Sequence, residues 1–164
     1  MFVVVRAVTY AVLFIGLVLI YVPAHLLPGS RLVRPALIGA PQIFGMINGA
    51  IGALIALWCI FTFAIVGKGT PAPFDPPRRL VIRGPYRFVR NPMYIGAALA
   101  LAGAALSYRS WSIFIYAVGF LLAMHLFVIG YEEPTLRRTF GTQYESYCRK
   151  VRRWWPRRNA RQSF

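Results

Sequence analysis

Acidic residues are scarce in this chain of 164 residues: 4 Asp and Glu stand against 19 Lys and Arg, a formal net charge of +15. Charged residues of both signs make up 14% of the chain, against roughly 25% in a soluble domain. The two cysteines, Cys59 in an apolar run and Cys148 in a basic tail, exclude a disulfide scaffold and read as unpaired thiols. Two histidines, far apart, argue against a metal site. No Gly-rich phosphate loop followed by Lys and Ser/Thr is present. Spacing alone permits a Ser–His–acid triad, but no nucleophile signature supports one. What the chain has in abundance is apolar surface: 58% hydrophobic residues, with 12 Phe, 9 Tyr and 4 Trp. That is too much to leave in water, which excludes disorder. An integral membrane protein remains. Its basic excess then points to anionic lipid headgroups and the positive-inside rule, not to nucleic acid.

Four apolar runs set the expected architecture, an all-α membrane bundle of about four transmembrane helices forming a single domain over 1–164. The first run, 7–22, carries no charge, and counting from Phe2 it approaches the roughly 20 residues a span needs. A signal peptide fits it poorly, since no basic segment precedes it and Pro23-Ala24-His25 is not a small-residue cleavage site. The second run is 43–66, where Gly45, Gly49, Ala53 and Ala56 follow small-residue spacing. The third, 92–106, is short and rich in Gly and Ala, with Gly96, Ala100, Gly103 and Ala104 as a packing face. Tyr108-Arg109-Ser110 connects it tightly to the fourth, 111–131, so the two read as a membrane hairpin.

The loops carry the topology. Residues 23–42 hold Arg31 and Arg34; residues 67–91 hold six basic residues and 132–164 hold nine. Four spans with both termini cytoplasmic place the two rich segments on one side. In the loop, Pro71, Pro73, Pro76 and Pro77 favour extended backbone. Gly84-Pro85 signals a turn, and Asn91-Pro92 suits an N-cap followed by the first helical residue. In the tail, Leu136, Phe140, Tyr144, Tyr147 and Val151 recur at helical spacing with basic residues between them. They predict a C-terminal amphipathic helix lying on the bilayer or over the hairpin, ended by Trp154-Trp155-Pro156.

Few residues carry chemistry. Glu132 and Glu133 form a carboxylate pair where the fourth run leaves the membrane, with solvated interfacial charge as the plain alternative. His125 lies seven residues before Glu132, on roughly the same helix face. Bonding to a neighbouring helix is its simplest role. Together these offer a basic, aromatic loop and a carboxylate pair beside membrane walls, an arrangement suited to a polar zwitterionic ligand next to a lipid.

The stretch LVIRGPYRFVRNPMYIG over 80–96, then a hairpin, then Glu132-Glu133, Phe140-Gly141, Tyr144, Tyr147, Val151 and Pro156, resembles the isoprenylcysteine carboxyl methyltransferase family. More loosely it resembles the phospholipid N-methyltransferases. The likeness covers about residues 78–156. It implies an S-adenosylmethionine-dependent membrane methyltransferase, with the cofactor held at the cytoplasmic face and a lipid or amphipathic substrate entering between helices. By position, the cofactor contacts would be Arg79, Leu80 and Val81, then Tyr86, the stretch Asn91, Pro92, Met93 and Tyr94, and Glu132. The family's His before Pro is Asn91 here, which cannot carry charge. Prenylcysteine-methylating members have Arg four residues before the cofactor Glu, where this chain has Val128, so the substrate need not be a prenylcysteine carboxylate. Glu133 is a candidate base for an amine nucleophile. The runner-up is a non-enzymatic membrane module whose basic tail binds anionic lipid or a protein partner; a sterol-reductase-like enzyme is a third reading.

Overall fold

Helix α2 (Ala40–Thr62) starts where the chain can satisfy its first turn: Pro41 sits where a missing N–H costs nothing, and the Gln42 side-chain oxygen accepts a bond from the Gly39 backbone N at 3.2 Å. The computed structural model describes residues 9, 12–13, 15–26, 38–67 and 79–157, so the proline-rich segment 71–77 and the arginines at 31 and 34 lie outside the described residues. Most of the described residues are helical, and none forms a strand. Besides α2 they comprise α1 (Ile15–Leu26), α3 (Pro92–Tyr108), α4 (Trp111–Phe140) and α5 (Thr142–Lys150). An isolated parallel bridge joins Val89 to Arg152.

Helices α2 and α3 touch backbone to backbone. A Cβ added at Gly52 would lie 2.5 Å from Ala100 N and Gly96 O, and one at Gly103 would lie 2.5 Å from Gly45 O and Gly49 N. Small residues are what permit this approach, and close van der Waals packing is its reward where the surroundings are already apolar. Of the expected α3 face, Gly96, Ala100 and Gly103 are in contact with α2. On α2 one residue differs: Gly45, Gly52 and Ala56 are buried and Gly49 is half-buried, while Ala53 is exposed. Steps of four, three and four residues keep to one stripe of a 3.6-residue helix, and Ala53 falls off it.

The turn from α3 to α4 is tight. Arg109 takes the left-handed conformation at φ 47°, and Ser110 caps α4 by accepting from Ile113 N at 3.3 Å. Ala97 and Leu101 of α3 then pack on Ala117 and Phe120 of α4. Tyr116 donates its hydroxyl to the Val18 carbonyl of α1 at 3.1 Å. The far sides of α2 and α4 leave large apolar residues exposed, among them Phe44, Leu54, Phe61, Ile115, Leu122 and Leu126. Both helices are long and apolar enough to cross a membrane; α3 and the described part of α1 are apolar but shorter.

The tail departs from one continuous amphipathic helix. Gly141 (φ 50°, ψ −125°) breaks it between α4 and α5. The apolar side of α5 does not lie open: Tyr144, Tyr147 and Val151 are buried, with Leu80 and Ile82 of the loop and Leu136 and Phe140 packed around them. A loop rich in apolar side chains close by competes successfully for that face.

Candidate functional site

Extended backbone before the hairpin sorts three side chains by alternation. Val81 turns into a buried cluster with Cys59 of α2 and Tyr86, whereas Leu80 and Ile82 turn to the tail tyrosines. Gly84 (φ 59°) brings the next turn against α2, where a Cβ would lie 2.7 Å from Thr62 Oγ1. Tyr86 sits on a 3₁₀ turn (Gly84–Arg87) and is buried, its ring edge-on to Phe63 at 5.3 Å. Burial pushes its hydroxyl well above the usual tyrosine range, helped by Cys59 and by the charge of Glu132. Tyr86 therefore stays a neutral hydroxyl in the same electrostatic neighbourhood as Glu132. Its carbonyl accepts from Tyr147 Oη at 2.6 Å, which ties the tail to the loop.

The mouth of the hairpin brings together residues separated by 38 positions: Tyr94 Oη donates to Glu132 Oε2 at 3.1 Å. Met93, beside Tyr94, packs on the Cys59–Val81–Tyr86 cluster. Glu132 is half-buried, and among the described residues no cationic side chain lies within ion-pair distance of it. Glu133 is the opposite case. Arg153 grips it with two hydrogen bonds, Nε to Oε1 at 2.7 Å and Nη2 to Oε2 at 2.9 Å; Arg90 stands 3.3 Å away and Arg137 3.9 Å. The helix is π-wound over Val128–Glu132, Glu133 N donating to Val128 O. Successive helical residues project about 100° apart, so the neighbouring carboxylates serve different partners, and the wider turn shifts the phase of the helix around them. Such turns are frequent at functional sites.

Of the residues named from sequence, Val81, Tyr86, Met93, Tyr94 and Glu132 gather at this corner. Pro92 is buried at the first turn of α3, and Arg79 is exposed. Leu80 faces the tail. Asn91 occupies the N-cap position without a capping bond; its Nδ2 instead donates to Arg153 O at 3.5 Å. His125 and Glu132 do not share a partner: His125 Nδ1 accepts from Trp154 Nε1 at 3.0 Å, a bond to the tail and not to a neighbouring helix. Val128 is 1% exposed and belongs to the core. Both oxygens of Glu133 are engaged by guanidiniums, so neither stands ready to take a proton from a substrate amine. Sequence reasoning missed Cys59, Thr62, Arg90 and Arg153. Their types are ordinary for an apolar run and a basic tail, and only their distant partners mark them.

A family model for phospholipid methyltransferase matches residues 41–143, more than half of the chain. The chain belongs to the phospholipid methyltransferase family. The match begins in α2 and ends in the first turn of α5, so it takes in the Gly-packed helix pair and all of the corner residues. The family is one of membrane methyltransferases, which agrees with two helices apolar enough to cross a bilayer. Comparison with curated proteins and with solved structures gave no match. In this phospholipid methyltransferase family member, the residues at the hairpin mouth can do two things: offer a carboxylate with spare acceptor capacity, and wall it with apolar and aromatic side chains.

Proposed function

We propose that the protein transfers a methyl group from S-adenosylmethionine to a lipid or other amphipathic small molecule at the cytoplasmic face of the membrane. The observation that carries this reading is the Tyr94–Glu132 pair: a half-buried carboxylate with one neutral hydroxyl donor and no cationic partner among the described residues. A carboxylate in that state suits the donors of this cofactor, its ribose hydroxyls and ammonium, and a negative charge also suits the sulfonium. Glu132 and Tyr94 would hold it, with Val81, Tyr86 and Met93 as apolar and aromatic wall. The remaining loop positions, Arg79, Leu80, Asn91 and Pro92, would contribute through the backbone or rim.

When bound, S-adenosylmethionine supplies a methyl group on a sulfonium, already a good electrophile. The chain's own residues then have to orient the acceptor and exclude water, which is why no triad or metal is needed. The four-helix arrangement with both termini cytoplasmic would put the corner, the basic loop and the tail on one face. There the exposed Arg138, Arg149 and Arg152 would meet anionic headgroups. Val128, buried where prenylcysteine-methylating relatives carry Arg, favours a substrate without a carboxylate to be neutralised at that point.

Glu132→Gln keeps shape and removes charge. A charge-assisted hydrogen bond is worth about 1.5–3 kcal/mol, so S-adenosylhomocysteine should bind roughly tenfold to a hundredfold more weakly. Calorimetric titration of the wild type and the variant measures it. No binding by the wild type, or equal binding by a well-folded variant, would sink this reading.

A further inference from the structure

We propose that Glu133 is a positioning residue that fastens the C-terminal tail as a strap across the start of α3, and that cofactor affinity depends on the strap being fastened. This rests on the methyltransferase reading above. The strap is the segment 151–154. It runs parallel to the end of the loop, with Arg90 N donating to Arg152 O at 2.9 Å and Asn91 N to Arg153 O at 3.3 Å. The Asn91 side chain adds a bond to the same carbonyl at 3.5 Å. Past it, Trp154 reaches across to His125 of α4. The strap thus touches the loop end that leads into α3, which presents Tyr94, and α4, which presents Glu132. Tyr94 stands three residues beyond Asn91.

Glu133 is what holds the strap's charges in place. It is 5% exposed, and it accepts both Arg153 bonds in the planar fork arrangement that fixes direction as well as distance. It also holds Arg90, on the loop side, whose Nε is buried without a partner and whose Nη1 donates to Cys148 Sγ at 2.6 Å. One carboxylate therefore joins loop, strap and α4. Its neighbour Glu132 faces α3. The adjacent acids divide the work: Glu132 toward the ligand, Glu133 toward the part of the chain that keeps the ligand's wall in register.

The test is rescue by a covalent tether. Val89 and Arg152 are bridge partners, so Val89→Cys with Arg152→Cys, in a Cys148→Ser background, can be joined by a disulfide that fastens the strap without Glu133. Binding of S-adenosylhomocysteine is measured on the full chain in detergent or nanodiscs. Glu133→Gln should weaken binding by about tenfold. Oxidising the tether should restore the wild-type affinity, and reduction should remove it again. Unchanged affinity in Glu133→Gln overturns the proposal. So does lost affinity that the closed tether fails to restore, since Glu133 would then be touching the ligand itself. If Glu133→Gln does not fold, Arg153→Gln cuts the same bond from the other side and is rescued by the same tether on the same terms. Absence of binding by the wild type would instead remove the methyltransferase reading, and this proposal with it.

Discussion

Two contacts among the described residues are built from opposite materials. Between α2 and α3 there are no charges and scarcely any side chains; glycines let one backbone lie on the other. Between the loop and the tail the contact is made by guanidiniums around Glu133, by a tyrosine hydroxyl on a carbonyl, and by backbone bonds between unlike segments. Lipid offers no hydrophobic drive for helices to associate, so the first contact has to come from shape. Outside the apolar zone water competes for every polar group, so the second is worth something only where burial makes its bonds costly to lose.

That contrast predicts where the molecule is fragile. Gly103→Val should do the most damage, because its Cβ would meet the backbone of Gly45 and Gly49 with no flexible side chain to give way. The cost should exceed the about 1–3 kcal/mol of ordinary overpacking. Size-exclusion profiles and thermal unfolding in detergent should show a largely misfolded protein; a stable, monodisperse variant would mean the helix pair is looser than described. Tyr147→Phe comes next. It strips the buried Tyr86 carbonyl of its hydroxyl donor and should cost about 1–3 kcal/mol, read as a lower unfolding midpoint with α2 and α3 still packed. A drop as large as that of Gly103→Val would erase the distinction between the two contacts. Gly119→Ala is the smallest and has the opposite sign. A Cβ there meets nothing within 4 Å, so replacing a mid-helix glycine should stabilise by about 0.5–1 kcal/mol. A clear loss in the same melt would show that this face of α4 is covered.

Burial decides the chemistry of the tail tyrosines as well. It pushes Tyr144 and Tyr147 above the usual tyrosine range, so both remain neutral donors at any pH where the protein would work. Arg153 is raised further by its bond to Glu133, which keeps the strap's charge constant over the same range. The Glu133–Arg153 fork is thus made by groups that do not titrate near neutrality.

From sequence alone, the helical membrane character, the hairpin with its turn at Tyr108-Arg109-Ser110, the start of α3 at Asn91-Pro92 and the glycine face of α3 were all legible. Each depends on residues within a few positions of one another: hydrophobic runs, a φ-restricted Pro, small residues at repeated spacing. The family pattern also named Tyr94 and Glu132, which the structure joins by a hydrogen bond. Tertiary structure alone decided the rest. It put Gly52 on the packing stripe and left Ala53 off it, turned Asn91 to Arg153, and gave His125 to Trp154. Above all it separated two consecutive glutamates into one with three guanidiniums and one with none in ion-pair range among the described residues. Apart from Arg137, four positions beyond Glu133, the partners in question lie 20 to 62 residues apart in the chain, and the π turn at Val128–Glu132 shifts the helical phase between His125 and the glutamates. Periodicity counts along a single helix and carries no information about which distant segment will close on it.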